Sequence, residues 1–184
     1  MASAPDEQEA VAAEAALVNS DSDGAACAAA QLVRTRAVVD EALRLYPPAF
    51  VIVRQALADD LVDGIPVPAG SLVMISPWVL HRHRRLWATP EAFNPARFLP
   101  GAPEPARFAY MPFGAGPRVC IDAQFAITVL ALTLAIMVRA FRIRLAKPRI
   151  VRPTGIVSTQ PDDPPPFLTQ RREVQSGAAA SLCP

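Results

Sequence analysis

Apolar residues recur at helical spacing in two parts of the chain. In the first, Leu32 to Tyr46, apolar positions recur every three or four residues until Pro47-Pro48 ends the predicted helix. In the second, a longer apolar run extends from Phe125 to Val138. It predicts a buried helix from about Ala123 to Ala140, with Asp122 as the residue that caps its start.

Short strands and turns account for the other regular patterns. Three segments have the apolar or alternating composition of strands, namely Val51 to Val53, Leu72 to Ile75 and Phe141 to Leu145. Asp63-Gly64 and Pro68-Ala-Gly70 predict turns between extended pieces. Extended structure is therefore expected between the two helices and after the second.

The two ends of the chain have weaker patterns. Residues 1 to about 30 form an alanine-rich lead, in which Glu9 to Leu17 predicts a helix and Asn19 to Gly24 predicts a turn or loop. We expect much of this lead to be loosely held. Residues 173 to 184 are expected to form a disordered tail.

Composition narrows the class of protein. A chain of 184 residues with 52% hydrophobic content is long enough to form one domain with a core. A net charge of +1 provides no field that would draw it to nucleic acid or to an anionic membrane. As a helix, the run Phe125 to Val138 would extend about 21 Å, short of the ~30 Å bilayer core, so no membrane span is expected.

The cysteines and the start of the chain bear on its compartment. Cys27, Cys120 and Cys183 are odd in number and widely spaced, so no disulfide framework is expected and a reducing compartment is favoured. The polar, acidic segment Met1 to Gln8 lacks the basic start and apolar core of a signal peptide. A cytoplasmic location is therefore expected, and Cys27 and Cys183 are treated as incidental.

The strongest chemical signal is a glycine-rich loop that ends in a cysteine. Between Phe113 and Cys120, Gly114 and Gly116 allow backbone angles closed to other residues and let a flat group approach the main chain. The helix that follows and Arg118 both favour the thiolate form of the cysteine. A thiolate in such a turn suits ligation of heme iron, although a lone cysteine is more often a small buried apolar residue.

A second signal is a set of charged residues far apart in sequence. Glu41 and Arg44 are three residues apart and share a helical face, a spacing that usually indicates a weak surface ion pair. Downstream, the segment Phe93-Asn-Pro-Ala-Arg-Phe98 contains a further arginine, Arg97.

Together the three motifs resemble those of the cytochrome P450 superfamily, the heme-thiolate monooxygenases. Glu-x-x-Arg, Phe-x-Pro-x-Arg-Phe and Phe-Gly-x-Gly-x-Arg-x-Cys occur here in the family's order, and the resemblance runs from about residue 31 to 172. It implies a mainly α fold with small β-sheets, truncated to its C-terminal heme-binding part. No long helix with the family's distal acid–threonine pair is recognisable.

The resemblance also implies roles for individual residues. Cys120 would be the axial ligand of heme b, with Phe113, Gly114 and Gly116 forming its loop. Arg118 and Arg54 would bind the heme propionates. The structural triad that fixes the loop would comprise Glu41, Arg44 and Arg97, because a carboxylate shared by two guanidinium groups is favourable when it is buried.

The reaction implied by the family is insertion of one oxygen atom of O2 into a small organic substrate. Electrons would come from NAD(P)H through a ferredoxin or reductase. By resemblance, that donor would dock near Arg82, Arg84 and Arg85, part of the basic cluster His81 to Arg85. Taken without the family, this cluster is expected to be a solvated face, because its two histidines have no third metal ligand nearby.

One position departs from the family pattern. Asp122 stands where the family usually has glycine two residues after the cysteine, and its charge lies near the thiolate. We therefore expect weakened heme binding. Two other interpretations stay open: a non-catalytic remnant without heme, or a heme-binding sensor or carrier without oxygenase activity.

Overall fold

The fold is described from a computed structural model. The structure describes residues 1–18, 25–147, 150–155, 158–163 and 166–172. The loop predicted from Asn19 to Gly24 and the tail predicted at 173–184 lie outside these ranges.

Three of the described helices, α1, α3 and α5 below, lie close to predicted positions, and the others were not predicted. The helices are α1 (Pro5–Leu17), α2 (Ala25–Gln31), α3 (Val33–Leu45), α4 (Pro77–Leu80) and α5 (Ala123–Ala140), with short 3-10 helices at Pro95–Phe98 and Gly116–Arg118. The predictions of α3 and α5 are confirmed. The first helix begins four residues earlier than expected, because Pro5 fits the first turn of a helix.

The strands of the described segments form antiparallel pairs. Strand β1 (Ile52–Gln55) pairs with β4 (Leu72–Ile75), and β2 (Asp60–Val62) pairs with β3 (Ile65–Val67). Strand β5 (Phe141–Leu145) pairs with β8 (Phe167–Arg171), and β6 (Pro153–Thr154) pairs with β7 (Gln160–Pro161). All three predicted strands are present, the first of them shifted to begin at Ile52.

A two-residue turn closes the hairpin of β2 and β3. Val62 is opposite Ile65, and the turn residues Asp63 and Gly64 have φ angles of 49° and 79°. Two left-handed residues match the twist of the flanking strands, which is why Asp-Gly is favoured here. The turn predicted from the sequence is confirmed.

The core forms where α1 and α3 pack against α5. One cluster joins Val11 and Val38 to Val138, and a second joins Val39 and Leu43 to Ile127. These contacts fix the helix that follows the cysteine loop relative to the helix that carries Glu41 and Arg44.

The prediction that α5 is a buried helix is correct for only one of its faces. Its buried residues are Ile127, Ala131, Ala135 and Val138, which lie along one face, whereas Phe125 is 71% exposed. The apolar run is long, but the described neighbours α1, α2 and α3 cover only one side of it. Of the described helices, α5 alone is long and apolar enough to cross a membrane, a test that the core helix of a soluble protein also passes.

The N-terminal segment is more tightly held than its composition suggests. Gln8 exchanges two hydrogen bonds with the backbone of Ile143 in β5, at 2.7 and 2.6 Å. Glu14 accepts hydrogen bonds from the backbone amides of Arg34 and Thr35 at the start of α3. Polar side chains of α1 therefore fasten the lead to both α3 and β5, which the alanine content could not reveal.

Cys27 corrects a further expectation. It is disulfide-bonded, whereas the wide spacing of the cysteines led us to expect no disulfide framework and to treat Cys27 as incidental. Separation along the chain does not limit a disulfide, because the fold sets the distance between the Cα atoms.

Candidate heme-thiolate site

The carboxylate of Glu41 and the guanidinium of Arg44 form an ion pair with no exposed side-chain surface. Arg44 Nε and Nη2 donate to the two oxygens of Glu41 at 2.7 and 2.9 Å, so the contact is bidentate. Buried charges of this kind are stable only when each is paired and hydrogen-bonded. The spacing that suggested a weak surface pair therefore produces a buried one.

Arg44 also holds the irregular segment that follows α4. Its Nη1 donates to the carbonyls of His81 and Pro90, both at 2.7 Å, and its Nη2 donates to the carbonyl of Ala92 at 3.1 Å. With the two bonds to Glu41, all five N–H donors of the guanidinium are used. One side chain of α3 thus fixes three backbone positions in a segment without strands.

Arg97 joins this group from the second motif. Its Nε lies 3.5 Å from Glu41 Oε1, and its Nη2 donates to the carbonyl and hydroxyl oxygens of Thr89 at 3.0 and 3.1 Å. The backbone N–H of Asn94 donates to the same Glu41 oxygen at 2.7 Å. The structure therefore brings together the three charged residues that the sequence placed in one triad.

The cysteine loop closes on itself through backbone hydrogen bonds. The N–H of Cys120 donates to the carbonyl of Phe113 at 3.0 Å, and that of Gly114 donates to the carbonyl of Met111 at 3.1 Å. Gly114 and Gly116 have φ angles of 81° and 72°, in the left-handed region that favours glycine. Cys120 is a free, exposed cysteine at the end of this loop.

Phe113 anchors the loop to the core. Its half-buried ring packs against Val39 and Leu43 of α3 and Ile127 of α5. The start of the loop is therefore fixed both to α3, which carries the ion pair, and to α5, which follows the cysteine.

Asp122 occupies the predicted capping position of α5, but its side chain makes no capping hydrogen bond. This corrects the expectation that aspartate caps the helix well. Its φ of −93° is accessible to any residue, so the backbone does not require glycine here. The carboxylate is exposed two residues after the cysteine.

The two arginines expected at the propionates are both exposed. Arg118 lies in the cysteine loop and makes no ion pair within the described part of the chain. Arg54 lies on β1 on the same side as Ile52, because alternate residues of a strand face the same way. A Cβ on Gly114 would be 3.7 Å from Ile52 Cδ1, so that side of β1 faces the loop.

The basic cluster is only in part the solvated face that was expected. His81 has no exposed surface, and Arg82 stacks on Trp78 with 3.5 Å between its guanidinium carbon and the ring centroid. Arg84 and Arg85 are exposed and, with Trp78, Val79, Arg82 and His83, line a surface cavity of about 520 Å³. The guanidinium of Arg82 also donates to the carbonyl of Leu45, which helps to keep this side chain half-buried.

Sequence reasoning missed the buried polar contacts between α3 and the cysteine loop. His81 Nδ1 lies 3.1 Å from the carbonyl of Arg44, and its Nε2 accepts from the N–H of Met111 at 2.9 Å. Burial lowers the pKa of His81 to about 4. Tyr110, whose hydroxyl donates to Asp40, has its pKa raised by burial and then by that carboxylate.

The surface around Cys120 fits a flat, apolar group that carries two carboxylates. Val119, Ile121 and Phe125 expose 49%, 95% and 71% of their surface beside the cysteine. Heme has a large apolar face, and its propionates suit guanidinium groups such as those of Arg118 and Arg54. A free, exposed cysteine is a residue type that could ligate the iron of such a group.

Comparison with known proteins identifies the family. A family model described as Cytochrome P450 matches residues 1–164. The chain is 40% identical over 124 residues to cyclooctatin synthase of Streptomyces melanosporofaciens, which covers 67% of this chain and 27% of that protein. It is 43% identical over 106 residues to thromboxane-A synthase of Rattus norvegicus, covering 57% of this chain and 20% of that protein.

A plant protein gives a similar match. The chain is 37% identical over 120 residues to the chloroplastic protein LUTEIN DEFICIENT 5 of Arabidopsis thaliana, covering 63% of this chain and 20% of that protein. The chain thus matches between a fifth and about a quarter of the length of these relatives. Because the family model matches most of its residues, the chain belongs to the cytochrome P450 family.

Proposed function

We propose that this chain binds heme b through the thiolate of Cys120 and forms the ligand-bearing part of a heme-thiolate monooxygenase. The observation that carries the proposal is the loop itself. Its two left-handed glycines, its closing hydrogen bond from Cys120 to Phe113 and its exposed thiol lie within the region that matches the family.

Each residue of the site has a separate task in this proposal. Cys120 donates its sulfur to the iron, Phe113 anchors the loop, and Arg118 and Arg54 pair with the propionates. Glu41, Arg44 and Arg97 bind no ligand and fix the backbone of the segment from His81 to Asn94. When bound, heme supplies the iron chemistry that activates O2 and transfers one oxygen atom to an organic substrate, while the thiolate donates electron density to the iron.

An electron donor is part of the proposed reaction. Two exposed guanidinium groups, Arg84 and Arg85, support docking of an acidic surface of a ferredoxin or reductase there. Arg82 lines the same cavity, but its guanidinium is stacked on Trp78 and hydrogen-bonded to the backbone, so it is less available to a partner than Arg84 and Arg85.

The ligand is tested by spectroscopy of the chain loaded with heme. The reduced, carbon-monoxide-bound difference spectrum should show the strongly red-shifted Soret band of thiolate ligation. Cys120→Ser keeps the size of the side chain but removes the sulfur, so that band should be lost completely. A thiolate band in Cys120→Ser, or none in the unchanged chain, would contradict the proposed ligand.

The negative charge of Asp122 gives a second expected result. Asp122→Gly should retain more heme than the unchanged chain after gel filtration, because it removes a carboxylate near the thiolate. The fold should tolerate the change, since the side chain makes no capping hydrogen bond and glycine at an N-cap costs only a few tenths of a kcal/mol, by rough estimate.

Asp122→Asn is the matched control, because it removes the charge and keeps the side-chain size. Heme retention in Asp122→Asn equal to that in Asp122→Gly would assign the effect to charge. A gain in Asp122→Gly alone would assign it to side-chain volume. Equal retention in all three proteins would show that Asp122 does not weaken heme binding.

A further inference from the structure

His81 is a fully buried histidine that has no task in the proposed chemistry. Its Nε2 accepts a hydrogen bond from the backbone N–H of Met111, so this nitrogen carries no proton. In neutral imidazole the proton then resides on Nδ1, which donates to the carbonyl of Arg44. The imidazole can therefore make both hydrogen bonds at once in a single form, the neutral tautomer that carries its proton on Nδ1.

These contacts connect the helix of the ion pair to the cysteine loop. On one side, Arg44 accepts from the imidazole through its carbonyl and donates through its guanidinium to the carbonyl of His81. On the other side, Met111 accepts a hydrogen bond from Gly114 through its own carbonyl. The carbonyl of Phe113, between those two residues, accepts the N–H of Cys120.

The backbone around Met111, which the imidazole contacts, belongs to no helix or strand. Met111 lies in an irregular stretch between a 3-10 helix and the cysteine loop, so no strand provides a partner for its amide. Met111 is buried, and a buried backbone amide without a hydrogen-bond partner would lower the stability of the fold. Burial, and after it the charges of Arg44 and Arg82, lower the pKa of the imidazole and favour its neutral form, and the ring of Tyr110 packs 5.4 Å away.

We infer that His81 is a positioning residue: through the amide of Met111 it fixes where the loop presents Cys120 to the heme iron. The inference rests on the proposed function for the identity of the bound group. The contact between imidazole and loop is made entirely by residues of the chain, so it can be tested on the heme-free protein.

The first test uses variants of the imidazole. His81→Leu removes the acceptor, whereas His81→Gln has a carbonyl oxygen that can reach the same amide. In the heme-free chain, hydrogen exchange at Met111, Gly114 and Cys120 should rise about tenfold in His81→Leu relative to exchange in β5 and β8. His81→Gln should restore most of the protection.

The matched control is His83→Leu, because His83 is exposed and, among the described residues, its ring accepts a hydrogen bond just from the backbone N–H of its near neighbour Arg85. It should leave exchange in the loop unchanged. Equal acceleration across the loop and the β5–β8 sheet in His81→Leu would mean that the histidine serves only general stability. Unchanged exchange in the loop would equally overturn the inference.

A second measurement needs no substitution and applies even if His81→Leu does not fold. A long-range 1H–15N spectrum of the unchanged chain at neutral pH should show His81 protonated on Nδ1 alone. A ring protonated on Nε2 would break the contact with Met111 and overturn the inference.

The heme-loaded variants distinguish the two proposals. If the unchanged chain shows no thiolate band, the proposed function fails, while the exchange data still report on the loop. If it shows the band, His81→Leu should shift part of it to the band of a neutral thiol, and His81→Gln should shift less. An undiminished thiolate band in His81→Leu would show that the imidazole does not position Cys120.

Discussion

Replacing Arg44 by alanine should lower the free energy of unfolding by about 3–5 kcal/mol, the usual cost of removing one partner of a buried ion pair. The charge of Glu41 would stay buried, with Arg97 at 3.5 Å as its nearest guanidinium. The carbonyls of His81, Pro90 and Ala92 would also lose a donor. Urea unfolding at pH 7, followed by far-UV circular dichroism, measures the loss.

The same helix provides a matched control in Arg36→Ala. Arg36 pairs with Asp40 at 2.7 Å, but its side chain is 41% exposed. A solvated pair of this kind contributes at most about 1 kcal/mol. Equal losses in the two variants would show that burial adds nothing to the Glu41–Arg44 interaction.

Acidification should destabilise the fold between pH 6.5 and about 4 through His81. Burial is the main reason for its low pKa, and the charges of Arg44 and Arg82 add to the effect. Because the folded-state pKa is about 4 and the ordinary value is 6.5, the unfolded chain binds a proton in this range while the folded chain does not. The expected loss across the range is about 3 kcal/mol.

The measurement is the free energy of urea unfolding at half-unit steps of pH. His81→Gln should flatten the dependence between pH 6.5 and 4, and His83→Gln should keep it. The pKa of Glu9, lowered to about 2 by hydrogen bonds from Arg172 and Arg142, places its own contribution mainly below this range. A slope that persists in His81→Gln would assign the effect to other groups.

Local pattern was sufficient for the elements that depend on near neighbours. The spacing of apolar residues gave the bounds of α3 and α5, and Asp63-Gly64 gave the hairpin turn. In both cases the residue types themselves carry the physical preference. The position of Arg97 beside Glu41, 56 residues away, was predicted instead from the resemblance to the family.

Contacts between side chains and distant backbone left no trace in the sequence. His81 and His83 have similar neighbours, yet only His81 is buried, because its partners are a carbonyl 37 residues earlier and an amide 30 residues later. The apolar composition of α5 likewise did not reveal which face its neighbours cover. The missing capping bond of Asp122 depends on side-chain geometry that composition does not specify.

The guanidinium of Arg44 contacts carbonyl oxygens, a group that every residue has. The side chains at positions 90 and 92 are therefore free to vary during evolution without loss of these bonds. Chain length is not free in the same way. An insertion or deletion between 81 and 90 would displace two of the three oxygens from the donors of Arg44. This irregular segment should therefore diverge in sequence while conserving its number of residues.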